Sequence, residues 1–388
     1  MKTIHFVLGT LVTLLLLPTA ASAALPAGFQ ADVIVGGLNL PTDVVYTDDF
    51  AHTFIAEKSG VVRVLDNDVL NPTPVITLPN VNTFGDRGLL SLALDPDFDA
   101  NKFLYLLYTY ENAPGGINSD PKTAQLIRVT LDASNVAIPG SELVLLGSVT
   151  GDISNPSCLD FATGTDCIAS DHSSHSIADL HFAQDGSLFV SIGDGASFAI
   201  VDPVAHRAGD VQSLNGKVLR INPTNGYGYP SNPFYTGDRR DNASKVWNKG
   251  LRNPFRITVR PSTGALYIGD VGWFTSEEIN LGVAGADFGW PCQEGFGQTP
   301  GYDCMTPGFT PPLYDYPHDS NGAGSVTIGS FYGSNGNYPA EYDDTLFVGD
   351  FAQNWIKRLV VDQNDNFVSF EDFMDNAGGP VGFNVDQN

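Results

Sequence analysis

The chain has 388 residues, and 19 Lys+Arg face 44 Asp+Glu for a formal net charge of −25. So acidic a balance excludes nucleic-acid binding, which needs cations clustered against phosphate, and favours solubility, Ca²⁺ sites and an extracellular setting. The 41 Gly and 25 Pro imply many turns, and no linker or low-complexity run divides the chain, so one large domain of repeated units is expected.

Residues 1–23 read as a secretory leader. Lys2 supplies the positive end, Phe6 to Leu17 an apolar run, Pro18 a break and Ala21-Ser22-Ala23 a cleavage site. The run is shorter than the roughly 20 residues that cross a bilayer, and no later segment is longer, so no membrane span is expected. The expected domain is 24–388, secreted or periplasmic.

That domain is dominated by short β signals, such as Thr53 to Ala56, Phe103 to Tyr108 and Leu188 to Ile192, each flanked by Gly, Asp, Asn or Pro. No long amphipathic helix is found. A hairpin frame recurs. Phe182 to Val190 is a strand, a tight turn at Asp185-Gly186 and a second strand. Val259 to Ile268 repeats it around Gly264, Leu92 to Tyr108 is a longer copy, Val44 to Ile55 a looser one, and Tyr342 to Val348 an outgoing half. Such recurrence predicts an all-β fold of propeller blades, with a β-sandwich as the alternative. Gly382 to Asn388 resembles the incoming half of one more hairpin, so the last blade is expected to be incomplete. The cysteines fall in two close pairs, Cys158/Cys167 and Cys292/Cys304. Local disulfides are the economical pairing in an exported chain; zinc is the alternative, although neither pair has C-x-x-C spacing.

Four stretches have the residue types of a chemical site. Asp171-His172-Ser173-Ser174-His175-Ser176 leads into the strand at Leu180, where a loop His can act as a general base on a hydroxyl; a His172/His175 metal site and plain surface histidines are the alternatives. Lys249 to Arg256 sets Arg252 beside Asn253 before a Pro, a corner suited to a planar anionic or carbonyl-rich ligand, or a structural Arg paired to a carboxylate. Gly269 to Asn280 carries Glu277 and Glu278 and, with the Gly285 to Pro291 turn, offers oxygen ligands for Ca²⁺; the alternative is a solvated acidic loop. Tyr314 to His318 is a further loop-to-strand junction that can bring His318 to the same cavity or leave it on the surface. Gly193-Asp194-Gly195 lacks nucleotide-loop spacing and reads as a propeller loop. Asn242-Ala243-Ser244 is a glycosylation sequon.

Taken in order, Gly85-Asp86-Arg87-Gly88-Leu89-Leu90, Asp95 to Phe98, the His175 to Gly195 segment, Leu214 to Ile221, Gly250 to Pro254, Glu277 to Asn280 and Phe288 to Pro291 resemble the glucose/sorbosone dehydrogenase family from about Gly28 onward. The resemblance implies a six-bladed β-propeller that binds pyrroloquinoline quinone (PQQ) and Ca²⁺, oxidises the anomeric hydroxyl of a sugar to a lactone, and passes electrons to an external acceptor. It places His175 as the catalytic base and Arg252, Asn253 and Asp86 against the quinone. Glu278 and the Phe288 carbonyl fall on a structural Ca²⁺ site, and the Gly272 and Trp273 carbonyls on the Ca²⁺ that activates the quinone. The sequence departs from the family pattern at several points. Asp86 replaces a Gln, Ser174 an Asp, and Ile177-Ala178-Asp179 a Gly-Gly-Arg. Val271-Gly272-Trp273 stands where Gln-Gly-Pro is usual, and Gly336-Asn337 and Gln353-Asn354 occupy regions that carry Lys and Arg. The segment Gly269 to Ile279 also resembles Hedgehog-interacting-protein-like propellers, which implies the alternative of a non-catalytic Ca²⁺-stabilised propeller that binds glycans or proteins. A metal-dependent propeller hydrolase is a third class.

Overall fold

The computed structural model describes residues 25–385 apart from 113–115, 303, 305–307 and 334–336; the predicted leader lies outside them. The Gly- and Asp-punctuated runs form antiparallel sheets of four or five strands, arranged in sequence order as propeller blades. The innermost strands are Pro41–Tyr46, Leu89–Leu94, Leu180–Phe182, Pro254–Val259 and Val326–Phe331. The hairpins predicted from the turns pair as expected, with Val44 opposite Ile55, Leu92 opposite Leu106, Phe182 opposite Leu188 and Val259 opposite Leu266. The one α-helix among the described residues is the single turn Phe98–Asn101.

Packing between blades explains why the strands read as nearly continuous apolar runs. Side chains alternate faces along a strand. In Phe103–Tyr110, Leu104 and Leu106 therefore enter the core shared with the first sheet, while Tyr105 and Leu107 enter the core shared with the third. All four are fully buried, and each Leu contributes about 1.5–3 kcal/mol.

The described residues contain five blades, so the six-bladed expectation is corrected. The reason lies in residues 376–385, which pair with no strand. Without a hydrogen-bonded neighbour, the predicted incoming half at Gly382 does not become a sheet. It lies instead between the fifth blade and the first. Phe383 sits against Gly329 and Gly349, where any side chain would collide with it, and Asn384 donates to the Val44 carbonyl (3.4 Å). Arg256 fixes the same segment through Nε to the Val381 carbonyl (2.9 Å) and reaches the carbonyls of Thr42, Leu90 and Ala178. Around it on the inner strands, Ser91 Oγ donates to Asp43 or Asp179 (2.9 and 2.8 Å), and Asp179 also accepts from the Ile257 N–H (2.9 Å). The axis of the ring is thus filled by a buried polar network, with an Arg as its hub.

Both local disulfides are present, Cys158–Cys167 and Cys292–Cys304, and no cysteine is free. No helix among the described residues is long and apolar enough to cross a membrane. Disulfides are the cysteine state of an oxidising compartment. The sequon Asn242 is buried and donates its amide to the Thr165 and Gln212 carbonyls (2.9 and 3.0 Å), so it is not available to a glycan in the folded chain.

Candidate functional site

The loops that enter the innermost strands share one end of the ring with the loops between each second and third strand. Asp86, His175, Arg252 with Asn253, and His318 all come from loops of the first kind; Asp194 and Gly272 come from the second. Residues distant in sequence therefore meet because each blade repeats the same connection.

His175 is 5% exposed and adopts a left-handed backbone (φ 51°), a conformation uncommon for a residue with a Cβ and frequent at functional sites. The Gly193 backbone presses against the His175 carbonyl, leaving no room for a side chain at position 193. The His175 Nδ1 faces Asp194 Oδ1 at 3.1 Å. Asp194 also accepts from the Trp290 indole (2.7 Å) and the Ala196 N–H (2.8 Å). Burial and then the Arg252 charge hold His175 below the ordinary imidazole value, with Asp194 opposing them. Burial would raise Asp194, but His175, Arg252 and the Ala196 N–H hold it below the usual carboxylate range. An ionised Asp194 fixes the proton on Nδ1 and leaves Nε2 as a free base.

Arg252, also 5% exposed, lies over the Trp290 ring (5.5 Å) and donates through Nη1 to the Val271 and Gly272 carbonyls (2.8 and 2.7 Å). Asp270 grips this corner from behind, accepting the Arg252 and Asn253 backbone N–H groups (2.9 and 2.6 Å). The bend at Arg252, just ahead of the strand Pro254–Val259, lets both amides point at one carboxylate. Asp86 is exposed at the rim, where its N–H bonds the Ser173 carbonyl (2.8 Å) and its charge acts on His175. His172 Nδ1 pairs with Ser174 Oγ (3.1 Å) and His175 Nδ1 with Asp194, so both Nδ1 atoms of the alternative His172/His175 metal site are engaged elsewhere.

The carboxylate pair splits because adjacent strand residues face opposite ways. Glu277 turns to the fifth blade, where it meets His318 Nε2 (2.8 Å) and the Val326 N–H (2.7 Å). Burial lowers His318, but Glu277 overrides it and holds the imidazole above its ordinary value. Glu278 turns the other way, accepting from the Gly295 N–H (2.6 Å) and the Asn280 amide (2.9 Å). It lines a cavity of about 10 Å³ with Asp270, Glu294, Gly272, Phe288 and Arg252, which is the scale of one water or ion. Glu294 Oε1 gathers the N–H groups of Trp273, Phe274, Thr275 and Ser276 (2.7–3.3 Å), while its buried Oε2 has no partner. Burial, with the Asp270 and Glu294 charges, raises Glu278 to about 8. Burial also raises Asp270, to about 7.

Three buried carboxylates, one orphaned oxygen and a single lining cation fit a divalent ion. The carboxylate oxygens do not all converge within 4.8 Å of one another; the one group that does among the described residues is His206 with Cys292 and Cys304, and those cysteines are joined in a disulfide. An ion in the cavity would therefore take one or two carboxylates and complete its shell with carbonyls, a donor mixture typical of Ca²⁺. The Gly272 carbonyl faces the Arg252 guanidinium. The Trp273 N–H is held by Glu294.

Sequence reasoning brought His175, Arg252, Asn253, Asp86 and Glu278 to one end of the ring. It missed Asp194, Asp270 and Glu294, the carboxylates that orient or surround them. The only signal for the first two was their place in Gly-Asp pairs closing a strand, at Gly193-Asp194 and Gly269-Asp270. Of the two cation-poor regions, Gln353 is placed as a neutral donor to the Pro317 and Ala323 carbonyls (3.1 Å each), and Gly336 lies outside the described residues.

A β-propeller with an imidazole–carboxylate pair, a buried guanidinium corner and an acidic ion cavity at one end of its ring is the class that fold and site define. The family model described as Glucose / Sorbosone dehydrogenase matches residues 38–381, and the chain belongs to that family. It is 25% identical over 301 residues to quinoprotein glucose dehydrogenase B of Acinetobacter calcoaceticus, covering 74% of this chain and 57% of that protein. It is 26% identical over 241 residues to the Hedgehog-interacting protein of Mus musculus, covering 58% of this chain and 31% of that one. The chain thus spans little more than half of the first relative. In fold it is similar to the PQQ-bound aldose sugar dehydrogenase of Streptomyces coelicolor, with a TM-score of 0.64 at 19% identity, covering 91% of this chain and 85% of that one.

Proposed function

We propose that this chain is an exported sugar oxidoreductase that converts the anomeric hydroxyl of an aldose to a lactone, using PQQ and Ca²⁺ and an external electron acceptor. The observation that carries the reading is the buried His175–Asp194 pair beside the Arg252–Asn253 corner. His175 Nε2, Arg252 Nη2 and the Asn253 side-chain amide have no hydrogen-bond partner among the described residues; the guanidinium and the amide are donors suited to a planar, carbonyl-rich ring, and Nε2 is an acceptor suited to a hydroxyl. When bound, the quinone supplies the two-electron acceptor and Ca²⁺ the Lewis acid that polarises it.

The chain's own residues do the rest. His175 Nε2 takes the proton of the anomeric hydroxyl as the C1 hydrogen leaves with its electron pair. Asp194 holds the ring in the Nδ1–H tautomer and stabilises the imidazolium that forms. Burial keeps His175 neutral and ready as a base at neutral pH. Arg252, backed by Asp270, would orient the acceptor; Glu278, Glu294 and the Phe288 carbonyl would hold the structural Ca²⁺ in the cavity behind it, and the Gly272 and Trp273 carbonyls would hold the Ca²⁺ that activates the quinone.

The test is reconstitution: purified apo protein with Ca²⁺ and PQQ is assayed for sugar-dependent dye reduction, and His175→Ala must abolish it without changing the melting temperature. No quinone binding at micromolar concentration refutes the reading. One observation favours a non-catalytic, Ca²⁺-stabilised propeller instead. Arg252 Nη1 is already committed to two backbone carbonyls, so fewer of its N–H groups are left for a polyanionic cofactor. On that reading Ca²⁺ raises the melting temperature and PQQ does not bind.

A further inference from the structure

Phe198 and Phe274 are each 55% exposed, yet neither is loosely placed. Phe274 stacks on Trp273 with ring centroids 4.1 Å apart and planes 26° from parallel. The Trp273 indole donates to the Phe198 carbonyl (2.7 Å), and the Phe198 ring meets the His172 ring edge-on (5.7 Å). Trp273 is itself only 9% exposed, wedged against Trp290 and Tyr302 (5.9 and 5.6 Å). Ile200 and Val201 extend the apolar surface, with Val201 packed over Gly301 and the Tyr302 hydroxyl tied to the Asp202 N–H (3.0 Å).

Single exposed hydrophobic residues need no explanation. A contiguous set standing on an immobilised aromatic stack does, because such patches mark binding surfaces, and rings already held in place lose little conformational freedom when a ligand arrives. The platform is also continuous with the site. Trp290 beneath it donates to Asp194, which holds His175, and His172 beside it bonds Ser174, the residue before His175.

We propose that Phe198 and Phe274 form an accessory sugar subsite that takes the apolar faces of pyranose rings, so that the preferred ligand is a neutral oligosaccharide rather than a free monosaccharide. A pyranose offers a C–H face to an aromatic ring and hydroxyls to the polar rim. A neutral ligand also meets no repulsion from a chain carrying a net charge of −25. The orientation, with the reducing end toward His175, rests on the function proposed above; the subsite itself does not.

The experiment follows Trp fluorescence and heat of binding as the full, Ca²⁺-loaded chain is titrated with glucose and with malto-, cello- and xylotetraose. In parallel, dye reduction is measured on the same sugars after reconstitution with PQQ. At least one tetrasaccharide is expected to bind about tenfold tighter than glucose, the effect of one stacked ring at 1.4 kcal/mol per decade. Phe274→Ala and Phe198→Ala each remove that gain, Phe274→Trp restores it, and glucose oxidation changes by less than about twofold in all three. Equal binding of mono- and tetrasaccharides, or a preference that survives both Ala variants, overturns the proposal even where glucose is oxidised. Tetrasaccharide binding that is lost in Phe274→Ala while no sugar reduces the dye keeps the subsite and refutes the oxidoreductase reading.

Discussion

Replacing Glu278 by Gln tests the carboxylate cavity. In the metal-free protein, burial and the charges of Asp270 and Glu294 raise Glu278 from 4.5 to about 8. Between those values the folded chain holds a proton that the unfolded chain has released. The stability linked to it is complete below the unfolded value and is lost as pH rises through the folded one. At 1.36 kcal/mol per pH unit, ionising Glu278 in the empty cavity costs on the order of 5 kcal/mol. On the proposed function Ca²⁺ would displace that proton, so its stabilisation should grow with pH and reach about 2.7 kcal/mol at a hundredfold excess over Kd. The assay is calorimetric melting of chelated and Ca²⁺-loaded protein at about pH 5 and about pH 9. The metal-free melting temperature is expected to fall between these pH values more steeply in the wild type than in Glu278→Gln. Ca²⁺ should restore it by several degrees in the wild type and by little in the variant. A metal-free wild type with the same pH dependence as the variant, or one indifferent to Ca²⁺ at the higher pH, refutes the argument.

Three further outcomes are expected. Asp194→Asn replaces the carboxylate that fixes the His175 tautomer and stabilises its imidazolium by an amide with one acceptor for three donors; turnover after reconstitution should fall about 10²–10⁴-fold with KM little changed, measured by steady-state dye reduction. Leu106→Ala opens a cavity between the first two blades and should cost about 2–5 kcal/mol in urea unfolding. Arg256→Met leaves Asp43 and Asp179 buried without their shared cation and should cost about 3–5 kcal/mol. The same unfolding experiment should show that Asp179→Asn recovers part of that loss.

The hairpins were legible because their information is local. Asp185-Gly186 and Gly264 supply the turns, and Leu104 to Leu107 alternate between two cores, so a few neighbouring residues specify each unit. The number of blades was not legible. A strand such as the one expected at Gly382 exists only if another pairs with it, and pairing is not a property of the segment. The site divides the same way. His175 and Arg252 stood out because few cations and imidazoles are present and each occupies a marked loop, and their family motifs named them. Asp194 and Glu294 did not stand out among 44 acidic residues, because what separates them is burial and the groups they face.

The amino-acid sequence by itself determined the all-β repeat, the family and the side chains able to do chemistry, and favoured the local disulfide pairs that the structure contains, since each of these is written in short-range pattern or residue type. Tertiary structure alone decided that Glu277 and Glu278 serve different neighbours, that Asp194 orients His175, that Arg256 fills the axis, and that Phe274 is held rigid at the surface. Burial and the convergence of distant loops set the charge, tautomer and exposure of a side chain, and neither exists until the blades have packed.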